Sequence, residues 1–170
     1  MEEKKILDVG CGMAKHTGSI GIDWIKGPNV DIVHDLNIFP WPIEDNTFDE
    51  IICQDTIQLF DNVIKIMEEI HRVGKPGAIL KIRTPHFSHP NSFRDPMHKW
   101  HFTIDTFDYF TEDFRYPIYT DKKYRMIKKN LSLIEDGGLG LSWQDFHHAD
   151  MKDTTATVFH HIICILKCRL

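Results

Sequence analysis

The chain has 170 residues, a length that suits one domain with a buried core. Hydrophobic residues make up 42% and charged residues 26%, the ordinary proportions of a globular protein. The net charge of −5 removes any global electrostatic case for nucleic acid, and no apolar run approaches the ~20 residues needed to span a bilayer.

In chain order, residues 4–9 (KKILDV) read as a short buried strand and residues 19–24 (SIGIDW) as a second. Residues 30–36 alternate and predict a third strand, and residues 48–55 (FDEIICQD) a fourth. A helix follows, capped by Asp61 or Asn62, with Val63, Ile66, Met67, Ile70 and Val73 at helical spacing. Gly74 and the KPG at 75–77 are expected to turn the chain into a fifth strand over 78–84. A strand, a helix and a strand make a right-handed crossover between parallel neighbours, so the class is α/β with a mostly parallel sheet. Beyond residue 86 a long polar-aromatic loop leads to a short helix over 103–113, a strand over 124–136 and a β-branched strand over 155–170. No domain boundary is visible, so residues 1–170 read as one domain with a loop-rich insertion over about 86–150.

Cys11, Cys53, Cys164 and Cys168 lack zinc-site pairing and read as free thiols of a reducing compartment. Cys164 and Cys168 share a strand face but lie about 13 Å apart at strand rise, too far to bridge. No signal peptide precedes Ile6, so a cytoplasmic location is expected.

The first strand runs into Gly10-Cys11-Gly12, and an acid, Asp23, closes the second strand. Glycines let backbone approach a ligand and adopt positive φ, and an acid at the next strand end is placed to accept from ribose hydroxyls. A dinucleotide site wants a third glycine where Lys15 stands, and too few residues separate Gly12 from Asp23 for a helix and a strand. A nicotinamide dehydrogenase is therefore disfavoured.

LDVGCG (7–12) resembles the first motif of class I methyltransferases, which use S-adenosyl-L-methionine (SAM), and GIDW (21–24) their second strand with its ribose-binding acid. HDLNIFPWPIEDNTFDEIICQD (34–55) resembles their third motif and fourth strand, and MEEIHRVGKPGAILKIRTP (67–85) is similar to the following helix, turn and strand of the type 11 branch. The resemblance implies a Rossmann-like, seven-stranded sheet with a shortened first crossover. It implies that Asp8 and the Gly10-Cys11-Gly12 turn face the methionine moiety and that Asp23 takes the ribose. By the same resemblance Asp35 and Leu36 border adenine, and Gln54 and Asp55 close over the cofactor. Three departures stand out. A loop over 13–19 replaces the first helix, DTIQL (55–59) replaces the family's acid-histidine-leucine, and the N-terminal helices that often cover substrate are expected to be missing. Substrate contacts are then expected from the 86–150 segment or from a homodimer or partner subunit.

The loop at 85–103 carries His86, His89, Asp95, His98 and His101 on the ligand side of the sheet. Three readings compete: an acceptor site with His86 or His98 as general base and Asp95 assisting, a metal site, or residues that anchor the loop. Trp41, in the turn FPWP (39–42), and Trp24 read as core aromatics before cation–π partners of a sulfonium. The function expected is SAM-dependent methyl transfer to a small or medium-sized acceptor. The alternative is a SAM-binding subunit without its own catalysis, which the absent cap and the altered 55–59 segment favour.

Overall fold

A computed structural model describes residues 4–115, 119–133 and 160–169. Its strands are β1 (Ile6–Val9), β2 (Ile20–Asp23), β3 (Ile32–Val33), β4 (Phe48–Gln54), β5 (Gly74–Pro85), β6 (Tyr124–Leu133) and β7 (His160–Cys168). They form one seven-stranded sheet in the order β3-β2-β1-β4-β5-β7-β6. Pairs from β3 to β5 are parallel, and β7 runs antiparallel between β5 and β6. The order reverses at β1, so β1 and β4 flank the switch point beyond whose carboxyl ends a ligand sits in such sheets.

Helix α1 (Val63–Val73) is the only helix longer than five residues among those described. Asn62 caps it by accepting from the Lys65 N–H at 3.1 Å. Ile66, Met67 and Ile70 are fully buried, each stabilising by about 1.5–3 kcal/mol, and they meet Ile51, Leu80 and Leu166 in one core. Alternation along β4 sends Glu50 to the other face, where it is 4% exposed and holds Lys81 at 2.6 Å.

Three elements differ from expectation. The helix passes straight into β5: Gly74 is extended (φ −75, ψ 135), and its N–H donates to the Ile70 carbonyl. Glycine is required there by packing, since a Cβ would lie 3.1 Å from Ile51 Cδ1 and 3.2 Å from Cys168 Sγ. Strand β3 keeps only two residues, because Asp35 accepts from the Asn37 N–H at 3.0 Å and starts a turn. The short helix near 103–113 is a 3-10 turn at Thr106–Phe110, where the Thr106 and Thr111 hydroxyls bond local backbone and compete with α-helix.

Trp41 packs as read, 2% exposed, its indole N–H donating to the Leu36 carbonyl at 3.1 Å. The 41–45 segment is tied down by α1: Glu69 accepts from the Trp41 N–H at 2.6 Å, and Arg72 donates to Glu69 Oε1 at 2.6 Å and to the Ile43 carbonyl at 2.7 Å. All four cysteines are buried and free. Burial pushes the Cys11 thiol up to about 11 and those of Cys164 and Cys168 to about 12, which keeps them protonated.

Candidate functional site

A cavity of about 370 Å³ opens beyond the carboxyl ends of β1, β2 and β4. Its glycine wall is Gly10, at φ +68. The space a Cβ would need is filled by Thr56, whose Cγ2 would lie 2.2 Å away, so Gly10 is demanded by a protein neighbour as well as by its dihedral. Gly12, at φ +49, has open space around it.

Asp23 staples this turn. Its Oδ2 accepts from the Gly12 N–H at 2.9 Å and its Oδ1 from the Ile25 N–H at 3.0 Å. Each carboxylate oxygen keeps a second lone pair for a ligand hydroxyl. Asp8 lies behind the wall, 5% exposed, accepting from the His16 N–H at 2.7 Å. Burial raises its carboxyl above the usual range, against the pull of that N–H. Cys11 also turns away, its thiol 3.8 Å from the Asn29 carbonyl.

Asp35, Leu36 and Asn37 form a second wall, and Gln54 and Asp55 a third. The expected residues Gly10, Asp23, Asp35, Leu36, Gln54 and Asp55 thus meet at one cavity, while Asp8, Cys11 and Gly12 support it from outside. Trp24, expected in the core, is 63% exposed and lines this cavity.

Arg83 was not singled out by the sequence, yet it organises the third wall. It donates to Asp55 Oδ2 and, with the Gln54 amide oxygen facing the guanidinium, to Gln54 at 2.6 Å from Nη2. Asp55 sits at φ +51, a left-handed conformation that aspartate tolerates better than most residues and that clusters at functional sites.

A second cavity, about 660 Å³, adjoins the first and shares Asp55 with it. The 85–103 loop lies across both: Met97 and Lys99 line the first, while Arg94, Asp95 and His98 line the second. Gln58 joins the second cavity, 2% exposed, accepting from the Thr84 hydroxyl at 2.9 Å with its amide nitrogen 3.4 Å from His98 Nε2. His98 Nε2 is 3.8 Å from Asp95 Oδ2, so these two expected residues stand together.

His86 does not join them. Its Nδ1 meets Ser88 Oγ at 2.7 Å, and it lines neither cavity. His101 pairs with Ser92 Oγ at 2.9 Å and stacks on Phe93, and buried His89 accepts from the Asn91 N–H at 3.0 Å. These histidines anchor the loop. Among the described residues no three His, Cys, Asp or Glu side chains gather as a metal site would require.

β7 contributes a histidine from the far end of the chain. His161 is paired opposite Pro85 and lines the second cavity, its ring 4.6 Å from that of His89. Burial pushes its imidazole down to about 4, outweighing Asp55, which attracts a proton, while His89 and Arg83 repel one. Asp55 Oδ1 lies 3.9 Å away, beyond hydrogen-bond reach. The folded value lies below the ordinary 6.5, so the unfolded chain binds this proton more readily. Its contribution to stability is therefore whole above about 6.5, is lost as pH falls toward about 4, and changes no further below that. Urea unfolding across this window is expected to show the slope, and His161→Gln to flatten it; an equal slope in the variant would assign the effect elsewhere.

Residues 23–82 match the family described as methyltransferase domain, type 11. The match covers less than half of the chain and makes it similar to methyltransferases of the type 11 branch. The chain has the Rossmann-like fold of class I methyltransferases, and solved structures share it along most of their length. The YcgJ protein of Bacillus subtilis is 17% identical with a TM-score of 0.62, covering 98% of this chain and 92% of its own. A SAM-dependent methyltransferase of Methanosarcina mazei is 16% identical with a TM-score of 0.63, covering 100% and 94%. The Haloferax volcanii complex of the Trm112 methyltransferase activator with a methyltransferase gives 12%, 0.63, 98% and 83%. No curated protein matches the chain by sequence. The family match and these neighbours support SAM-dependent methyl transfer, with S-adenosyl-L-methionine as cofactor. The first cavity fits that group: two acids at adjacent strand ends, a bare glycine wall and apolar faces on Trp24, Leu36 and Phe60 suit a sugar, a charged chain and a purine. Among the described residues no helix is long and apolar enough to cross a membrane.

Proposed function

We propose that the smaller cavity holds SAM and the larger one a small-molecule acceptor, with the 85–103 loop as the partition between them. The single observation that carries this reading is Asp55, which faces both cavities. The cofactor supplies an activated methyl group, so the protein's task is orientation and exclusion of water. Asp23 accepts from the ribose hydroxyls with the lone pairs its two backbone donors leave. Asp35 and Leu36 border the adenine, with Trp24 against its face. Gly10 and Gln54 flank the methionine portion, and Asp8, Cys11 and Gly12 hold the turn from behind. His98 and Asp95 contact the acceptor, and His86 keeps its loop in register.

Residues 1–170 act as one domain, with the loop-rich insertion over about 86–150 on the acceptor side. A second copy or a partner subunit completes that side. The Haloferax volcanii neighbour, solved with an activator, supports a partner of this kind. Four buried free cysteines support a reducing, cytoplasmic location, and the net charge of −5 argues against a nucleic-acid acceptor.

Calorimetric titration with SAM and S-adenosylhomocysteine tests the cofactor site. The wild type is expected to bind in the micromolar range, and Asp23→Ala about 100-fold more weakly, the loss of two hydrogen bonds to a charged acceptor. Unchanged binding in the variant would remove Asp23 from the site.

A further inference from the structure

The methyltransferase reading names no acceptor, and the second cavity carries information about one. Asp55 Oδ1 is buried on the wall shared by the two cavities and has no hydrogen-bond partner. The other oxygen, Oδ2, is held by Arg83. Beside it, His161 Nδ1 is likewise buried without a partner. Buried polar atoms are nearly always satisfied, and exceptions call for an explanation such as a missing ligand donor. Arg94 lines the same cavity, and its guanidinium makes no ion pair among the described residues. Asp95 beside it is engaged: its Oδ1 accepts from the Met97 N–H at 2.8 Å, and its Oδ2 faces His98. The cavity therefore offers an acceptor oxygen at the border with the cofactor and a cation away from it.

We propose that the second cavity binds a small zwitterionic amine, with the amine N–H on Asp55 Oδ1 and a carboxylate or phosphate on Arg94. This rests on the assignment of the first cavity to SAM.

Nitrogen is favoured over oxygen by the base available. A carboxylate is too weak a base to ionise an alcohol, whereas an ammonium loses its proton to water far more readily and then attacks as the neutral amine. The nitrogen lone pair forms the N–C bond as the methyl C–S bond breaks, and the bonding electrons leave on sulfur as S-adenosylhomocysteine forms. The zwitterion enters as an ammonium, so one proton leaves past Asp55 to water before the lone pair attacks, and the methylated product departs as an ammonium. Burial keeps His161 uncharged at neutral pH, so it leaves the Asp55 charge available to the amine.

The test uses the whole chain saturated with S-adenosylhomocysteine, whose own titration is read first. Glycine, β-alanine and 4-aminobutyrate are titrated beside butyrate and butylamine, which each lack one end. At least one amino acid is expected to bind tenfold or more tightly than both truncated probes. Arg94→Met is expected to lower that amino acid to the level of butylamine, and Asp55→Asn to the level of butyrate. Arg94 is exposed on a four-residue helix, so its variant tests binding without threatening the fold. If S-adenosylhomocysteine binds and no amino acid exceeds the truncated probes, the zwitterion proposal is wrong and the cofactor assignment stands. Equal binding by the wild type and Arg94→Met overturns it as well. If S-adenosylhomocysteine itself fails to bind, the underlying cofactor assignment falls first.

Discussion

Gly10→Ala is expected to destabilise the protein by about 3 kcal/mol and to remove cofactor binding. Two costs combine. A left-handed φ of +68 disfavours any Cβ by about 1–2 kcal/mol. The Cβ would also meet Thr56 Cγ2 at 2.2 Å and Oγ1 at 2.7 Å. Thr56 cannot swing away cheaply, because it is buried and its hydroxyl donates to the Gln54 carbonyl at 2.9 Å. Urea denaturation measures the loss. Gly10→Ala with Thr56→Gly is expected to recover the steric part and not the dihedral part. A single variant as stable as wild type would mean that the turn relaxes, and the account of Gly10 given above would fail.

Arg72→Met is the second large effect, at about 3 kcal/mol, the lower end for breaking a buried pair because Arg72 is 23% exposed and Asp45 67%. The damage falls on Glu69, 6% exposed, which keeps a charge without its cation. Arg72 also donates to the Ile43 carbonyl, so the 41–45 segment loses its clamp. Trp41 belongs to that segment and bonds the Leu36 carbonyl, so the cavity wall of Asp35, Leu36 and Asn37 loosens with it. Weakened SAM binding is therefore expected in addition to lowered stability. Arg72→Met with Glu69→Leu removes both charges and is expected to regain most of the stability. If the double variant is as unstable as the single one, the uncompensated carboxylate is not the cause.

The parallel half of the fold was legible because each strand there is a short apolar run bounded by a turn signal. A cap at Asp61 or Asn62 was legible because side-chain capping is a local bond, and the structure uses Asn62. The first cavity was legible in part: Gly10, Asp23, Asp35 and Gln54 each sit at a strand end, where position along the chain translates directly into position in space. The use of Gly10 was not, because Thr56 lies 46 residues away. Trp24 was misread since an aromatic beside an apolar run looks like core until its neighbours are known. The second cavity was least legible. It joins residues from the 55–59 segment, the 85–103 loop and β7, and no sequence spacing announces that antiparallel β7 lays His161 opposite Pro85. The segment 55–59, which departs from the family pattern, touches both cavities: Asp55 lines each of them, Thr56 backs Gly10, and Gln58 reaches His98.

The bond from the Gly12 N–H to Asp23 does more than shape a turn. It joins the loop after β1 to the end of β2, so the two strand ends at the first cavity are ordered when the chain folds and not when a ligand arrives. The entropy of arranging that acid is then charged to folding, and more of the binding enthalpy survives as affinity. A ligand hydroxyl meeting Asp23 would find a carboxylate already aimed, and the same carboxylate, neutralised or removed, would leave the turn slack before any ligand had been lost.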